Sequence, residues 1–158
     1  MEEKAVANTS SILFLAKINR FDLLKNKFSK ILIPKQVIEE IFEKNNAENL
    51  IIKKELESFL KETEIKEIKD FRIDKGEQAA LSLCMEKKIS IFISDDKKAR
   101  KFARSIGIET IGIAGILLWN LENKKIRKEE LNNLLEELIK KDYYISSSIY
   151  AKLKEESK

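Results

Sequence analysis

Short apolar runs alternate with amphipathic segments along this chain of 158 residues. Three of the runs are typical of buried strands: KAVAN (4–8), ILIP (31–34) and SIFIS (90–94). ETIG (109–112) predicts another short strand, and EIKEI (64–68) alternates in the way of a marginal one. Because strands of this kind alternate with helices, the pattern predicts a parallel α/β sheet covered by helices on both faces.

The segments between these strands have apolar residues at helical spacing, which predicts that they form helices. Thr9 and Ser10 are good N-caps for the first helix, Pro34 ends a strand and starts a helix, Gly76 opens a later helix, and Gly107 ends another. The predicted helices are SSILFLAKI (10–18), FDLLKNKF (21–28), KQVIEEIFEK (35–44), residues 47–62, EQAALSLCMEKK (77–88), KKARKFARSIG (97–107), IAGILLWNLENKK (113–125), RKEELNNLLEELIKK (127–141) and SSSIYAKLKEE (146–156).

The length and composition favour one globular domain over residues 1–158, because the chain has no repeat, low-complexity linker or Pro/Gly-rich boundary. No apolar run reaches the roughly 18 residues that a membrane span needs, and the N-terminus lacks a signal-peptide layout. We therefore expect a cytoplasmic protein. The net charge of +4 is compatible with a polyanionic partner.

The absence of histidine narrows the chemistry. It excludes Ser-His-Asp and Cys-His catalysis and the imidazole sites typical of zinc. Cys84, the single cysteine, cannot form an intramolecular disulfide, and its apolar helical surroundings favour a core residue over a nucleophile. Any bound metal is expected to be a hard, oxygen-bound ion such as Mg²⁺ or Mn²⁺.

Polar residues stand at the carboxyl ends of two predicted strands, where ligands bind in parallel α/β sheets. Asn8, Thr9 and Ser10 follow the first strand, and Asp95 and Asp96 follow SIFIS. One aspartate suffices to cap the next helix, so the pair suggests that one caps while the other binds a ligand. Which aspartate does which is left open by the sequence.

Two further acids lie on predicted helices, Glu40 after the second strand and Glu77 in the first turn after Gly76. Glu40 could simply face solvent, and Glu77 could simply complement the N-terminus of its helix. If they converged with the aspartates, they would repel one another unless a divalent cation neutralised them. The sequence therefore suggests a metal site built from acids that are far apart in the chain.

The ordered segments VANTSSILFLAKINRFDLL, IPKQVIEEIFEK, GEQAALSLCMEKK and IFISDDKKARKFARSIG resemble the motifs of PIN-domain proteins, and the closest similarity is to the VapC-like toxin branch. The resemblance implies a three-layer α/β/α sandwich with a central parallel sheet of four to five strands. It also implies an endoribonuclease that uses Mg²⁺ or Mn²⁺ to activate a water against an RNA phosphodiester. The partners it implies are RNA, a second copy of the chain as a homodimer, and an antitoxin protein.

Carried over position by position, the resemblance assigns catalytic and metal-binding roles to five residues and supporting or RNA-binding roles to seven more. The implied catalytic and metal-binding residues are Asn8, Glu40, Glu77, Asp95 and Asp96. The supporting hydroxyls are Thr9, Ser10 and Ser94, and the RNA-binding residues are Lys97, Lys98, Arg100 and Arg104. Two structural alternatives to these roles remain open. Thr9 and Ser10 could serve only as helix caps, and the basic helix at residues 97–107 could simply be a solvated charged face.

Asn8 departs from the family pattern, which usually has aspartate at that position. An asparagine carbonyl can coordinate Mg²⁺, but it brings no charge and is a poor base. The alternative hypothesis is therefore a catalytically weakened PIN-like module that binds RNA or protein. A phospho-receiver domain fits poorly, because its acidic pair would follow the first strand rather than a late one.

Overall fold

The structure, a computed structural model, describes residues 3–156 and contains a five-stranded, fully parallel sheet. The strands, in the order β3-β2-β1-β4-β5 across the sheet, are β1 (Lys4–Ala7), β2 (Lys30–Pro34), β3 (Leu60–Thr63), β4 (Ile91–Ile93) and β5 (Glu109–Ile111). The predicted parallel α/β sheet is thereby confirmed. Residues 1, 2, 157 and 158 of the predicted domain lie outside the described residues.

Helices occupy most of the remaining chain between residues 3 and 156. They are α1 (Thr9–Lys17), α2 (Asp22–Lys25), α3 (Lys35–Glu43), α4 (Glu48–Glu55), α5 (Lys75–Lys87), α6 (Lys97–Ser105), α7 (Ile113–Glu122), α8 (Lys128–Lys140) and α9 (Ser147–Glu156). None of the helices in this described range is long and apolar enough to cross a membrane.

The strands are apolar on both faces because both faces are covered. Ala5 and Ala7 of β1 face a core shared with α1, α3, α4, α7 and α8. Val6, between them, faces the other core, which α5 and α6 cover. Cys84 of α5 lies in this second core and is 1% exposed, so the prediction of a core cysteine is confirmed. These two cores make the three layers expected from the sequence.

The prediction of one helix over residues 47–62 is wrong in its second half, and so is the strand predicted at residues 64–68. Helix α4 ends at Glu55, and Leu60 instead pairs with Ile31 of β2 to start the edge strand β3. The open edge of β2 offers main-chain hydrogen bonds and burial for Leu60, and such tertiary pairing overrides local helix propensity.

The order of the strands in the sheet indicates where a ligand-binding site is expected. From β1 the chain first builds outward through β2 and β3, and it then returns to the other side of β1 with β4. The carboxyl ends of β1 and β4 therefore flank the point where the strand order reverses, which is where open α/β sheets bind ligands. Val6 and Ala7 pair with Phe92 and Ile93, so the next residues, Asn8 and Ser94, lie side by side.

Candidate functional site

Asn8 lies at the centre of the candidate site, and its side chain is fixed by three hydrogen bonds. Its Oδ1 accepts the main-chain N–H of Ser11 at 3.0 Å, which makes Asn8 the N-cap of α1. Because a main-chain N–H can only donate, this bond assigns Oδ1 and Nδ2 without ambiguity. Nδ2 then donates to Oε1 of Glu77 at 2.8 Å and to Oγ of Ser94 at 3.0 Å.

The prediction that Thr9 or Ser10 caps α1 is therefore wrong, because the helix starts at Thr9 and Asn8 caps it. Asn8 is only 3% exposed, so this cap is made in a buried setting where an unpaired amide would be costly. Ser10 is exposed on the first turn of α1.

Glu77 enters the site from the first turn of α5, a helix that Asp74 precedes as its N-cap residue. Both of its carboxylate oxygens are oriented: Oε1 by Asn8, and Oε2 by Oγ of Ser94, which donates at 3.5 Å. Burial raises the pKa of Glu77 to about 7, and the nearby charges of Asp96 and Asp74 add to this, while the hydrogen bonds from Asn8 and Ser94 oppose it. The carboxylate is thus held in place but lacks a compensating positive charge.

Asp96 reaches the same place from the turn after β4. Its main-chain N–H donates to Oγ of Ser94 at 3.1 Å, and its Oδ2 accepts the N–H of Ala99 at 2.8 Å, which caps α6. Its negative charge adds to the rise in the pKa of Glu77, which is mainly caused by burial. Asp96 therefore does two things at once: it caps the basic helix and adds negative charge beside Glu77.

Glu40 lies beside this group and is connected to it through Thr9. Thr9 Oγ1 donates to Glu40 Oε2 at 3.2 Å. A Cβ placed on Gly76, next to Glu77, would lie 3.4 Å from the same oxygen of Glu40. Glu40 thus lies at the start of α5, and its side chain is exposed to solvent.

Asp95 is not brought to this group. Its Oδ1 accepts from the Tyr143 hydroxyl at 2.8 Å, and its Oδ2 accepts the main-chain N–H of Ile113 at 3.3 Å. Burial raises the pKa of Asp95, while these two bonds and the charge of Arg100 oppose that rise. The structure thus separates the two aspartates: Asp96 lies beside Glu77, and Asp95 joins the start of α7 to the segment after α8.

Sequence reasoning missed three contributors to this region. Asp74 raises the pKa of Glu77, and its position three residues before Glu77 at a helix start was the available signal. The Tyr143 hydroxyl donates a hydrogen bond to Asp95, which is 48 residues away in the sequence, and no local sequence pattern predicts that contact. Gly112 leaves room for Asp95, because a Cβ there would lie 2.2 Å from Asp95 Oδ1.

The basic helix α6 starts directly after Asp96. Of the four predicted RNA-binding residues, Lys97, Arg100 and Arg104 line a cavity beside β5, whereas Lys98 is exposed outside that lining. Arg100 is half-buried and its charge reaches Asp95. The acids and the bases thus lie next to each other on either side of the turn at residues 94–97.

The fit of this site to a divalent cation rests on its donor chemistry. No group of three or more His, Cys, Asp or Glu residues within residues 3–156 is arranged to hold a metal ion. Mg²⁺ does not require one, because it keeps several waters and is commonly bound by one or two carboxylates together with substrate phosphates. Glu77 and Asp96, two hard-oxygen ligands whose negative charges act on each other, fit that mode of binding. Asn8 turns its N–H groups rather than its oxygen toward Glu77 and does not fit as a ligand in this arrangement.

Comparison with known proteins gives a family and a fold. The family model DUF3368, described as a PIN domain, matches residues 4–158. A solved structure of a PilT N-terminus domain protein from the hyperthermophilic archaeon Sulfolobus solfataricus P2 is similar with a TM-score of 0.58 and 17% identity, over 75% of this chain and 94% of that one. A search of curated proteins found no match. The resemblance in sequence motifs, the parallel sheet and the matched family model agree, and the chain belongs to the PIN domain family.

Proposed function

We propose that this protein is a divalent-metal-dependent endoribonuclease that hydrolyses RNA phosphodiesters. One observation carries the proposal: Asn8, Glu77, Ser94 and Asp96, from three separate parts of the chain, meet where the strand order reverses. PIN domains are commonly metal-dependent nucleases, which supports the same class of reaction.

Each residue of the group has a role in this proposal. Glu77 and Asp96 would hold Mg²⁺ or Mn²⁺, with Glu40 near enough to the start of α5 to contact water or phosphate there. A bound divalent cation supplies a more acidic water and stabilises the negative charge that develops on the phosphate. Asn8 and Ser94 keep both oxygens of Glu77 oriented before the substrate arrives, so less ordering is needed during the reaction.

The experiment compares RNA cleavage by the wild type with cleavage by Glu77→Gln and Asp96→Asn, in Mn²⁺ and in EDTA. Asparagine is a good N-cap, so Asp96→Asn removes the charge while α6 keeps its cap. We expect both variants and EDTA to lower the cleavage rate at least about 100-fold, the usual effect of losing one electrostatic contact in the transition state. Glu136→Gln, an exposed change on α8, is the matched control and should cleave like the wild type. Cleavage that survives EDTA and both substitutions would refute the proposal.

The orientation of Asn8 favours a second candidate, an RNA-binding protein without catalysis. The amide N–H bonded to Glu77 takes the place of the negative charge that a family aspartate would bring. This second candidate predicts that RNA binds but stays intact in Mn²⁺, and that Asn8→Asp produces cleavage. The primary proposal predicts cleavage by the wild type, so the same assay separates the two.

The similarity of the sequence to VapC-like toxins extends the proposal to a cellular role. In that role the protein is the toxin of a toxin–antitoxin pair, acts in the cytoplasm and forms a homodimer. Expression of the wild type should then arrest growth, expression of Glu77→Gln should not, and co-expression of the neighbouring gene should relieve the arrest. Light scattering on the purified protein measures the oligomeric state.

A further inference from the structure

We propose that the cavity beside β5 is a nucleotide subsite that takes one unpaired base of a single-stranded RNA while α6 binds the adjoining phosphates. This inference rests on the proposed action on RNA and adds where the substrate lies. The cavity has a volume of about 660 Å³, which is within the range of about 300–1,000 Å³ typical of small-molecule sites. Its floor is formed by apolar side chains of β5, α7 and α9.

Charge complementarity identifies an anionic occupant. Lys97, Arg100, Lys101 and Arg104 of α6 and Lys152 of α9 all line the cavity. Asp95 is the one acid among the lining residues that the structure describes, and its carboxylate is already bonded to Tyr143 and to the main chain at Ile113. None of the ion pairs found between residues 3 and 156 uses a lysine or arginine of this lining. The five cations outnumber the one carboxylate, so the cavity carries a net positive charge even though the charge of Arg100 acts on Asp95.

The spacing of these cations fits a chain of phosphates that leads toward Glu77 and Asp96. Lys97, Lys101 and Arg104 are four and three residues apart, so they form a row on one face of α6. Seven residues of helix span about 10 Å along its axis. The row begins at Lys97, directly after Asp96, whose negative charge acts on Glu77. A polynucleotide bound along the row would thus present its next phosphodiester to the proposed catalytic residues.

The exposed ring of Tyr144 favours a nucleotide over a simple anion as the occupant of the cavity. It lines the cavity while remaining 79% exposed, whereas its neighbour Tyr143 is 8% exposed and is fixed by Asp95 and by an edge-on contact with Phe14. An exposed aromatic ring beside a basic row is the usual arrangement for stacking a base of single-stranded nucleic acid. Stacking on a ring face does not require a particular base, so we expect weak sequence preference at this position.

The test measures binding of a short fluorescein-labelled single-stranded RNA in EDTA, where metal-dependent cleavage is absent. Tyr144→Leu should weaken binding at least about fivefold, because stacking on an aromatic ring is lost, while Tyr144→Phe should bind like the wild type. Lys101→Gln should lower the slope of log K against log salt by about 0.7, the value for one phosphate contact with a single strand. Lys53→Gln, an exposed change on α4, is the matched control and should leave that slope unchanged.

An oligonucleotide that lacks bases separates stacking from charge. Tyr144→Leu should bind the abasic strand as well as the wild type does, whereas Lys101→Gln should still bind it more weakly. If Tyr144→Leu and Lys101→Gln bind intact RNA like the wild type, the subsite is refuted, although the nuclease proposal stands. If the wild type is a dimer, its conversion to a monomer in Tyr144→Leu would also refute the subsite, because the cavity would then be covered by a second copy.

A parallel cleavage assay in Mn²⁺ keeps the two proposals apart. Weaker RNA binding by the variants without cleavage by the wild type would refute the nuclease and support the subsite. Cleavage by the wild type with an unchanged KM in Tyr144→Leu would refute the subsite and support the nuclease. Failure of the wild type both to bind RNA in EDTA and to cleave it in Mn²⁺ would refute both.

Discussion

Replacing Asn8 with aspartate changes one buried contact and gives a sharp test of how the site is held together. In the wild type, Nδ2 of Asn8 donates to Glu77 Oε1 across 2.8 Å. In Asn8→Asp, Oδ1 can still cap α1 through Ser11, but the second oxygen then faces Glu77 Oε1 without a proton between them. The substitution thus keeps size and capping and reverses the electrostatics of a single contact.

The magnitude follows from that contact. Loss of a hydrogen bond to a charged acceptor costs about 1.5–3 kcal/mol. Two carboxylates at this separation repel by up to about 6 kcal/mol at an effective dielectric constant of ~20, but uptake of one proton by the pair limits the net cost. We therefore expect the free energy of unfolding of Asn8→Asp to be about 2–4 kcal/mol lower at pH 8 in EDTA. For a chain of this size, each kcal/mol lowers Tm by about 2–4 °C, so the expected drop is roughly 4–16 °C.

The assay is thermal unfolding at pH 6 and pH 8, in EDTA and in Mn²⁺. The carboxyl pair of the variant holds its shared proton more tightly in the folded than in the unfolded chain, so its destabilisation should be larger at pH 8 than at pH 6. Mn²⁺ at about 100 times its Kd should restore about 2.7 kcal/mol if it binds only the folded variant. Asn123→Asp also removes an amide donor, but Asn123 is exposed, and we expect a change within about 0.5 kcal/mol there. The reasoning fails if Asn8→Asp is as stable as the wild type at pH 8 in EDTA, or if Mn²⁺ stabilises both proteins equally.

Three further predictions concern single residues. The pKa of Glu77 is raised to about 7, so without metal the folded state binds more protons than the unfolded state between about pH 4.5 and 7. The midpoint of urea unfolding should therefore fall as the pH rises through that window. Glu77→Gln should make the midpoint depend less on pH. Burial raises the pKa of the Cys84 thiol to about 12, so a thiol reagent at pH 8 should react only as fast as the protein unfolds, and rapid reaction of the native protein would contradict the buried placement. Gly112→Ala would put a Cβ 2.2 Å from Asp95 Oδ1 and should lower the free energy of unfolding by about 1–3 kcal/mol, whereas Gly76→Ala meets nothing closer than 3.4 Å and should stay within about 0.5 kcal/mol of the wild type by urea unfolding.

Patterns that depend on near neighbours predicted most of the fold. The buried strands β1, β2 and β4 read as short apolar runs because a parallel sheet buries both faces. The edge strand β3 could not be recognised as an apolar run, because its sequence, LKET, is half polar. Only its pairing with β2 makes it a strand. The information that decides β3 lies about 29 positions away in the chain, where no window of local sequence reaches it.

The same limit applies to the site. The register of β1 and β4 brings Asn8 beside Ser94, and motif order alone predicted that these two segments belong together. The sequence could not separate Asp95 from Asp96, because adjacent residues at a strand end can turn to either side. The partners that divide them, Tyr143 for Asp95 and Ser94 for Asp96, become visible only in three dimensions.

The bond from Ser11 to Asn8 Oδ1 gives the protein an internal reporter. The amide proton of Ser11 is hydrogen-bonded to Asn8 while Asn8 keeps the orientation that also lets it donate to Glu77. The hydrogen-exchange rate of this one amide therefore tracks the state of the whole acidic group, with no label, substrate or metal added. A technique that follows backbone amides could in this way monitor the Asn8–Glu77 contact from the first turn of α1.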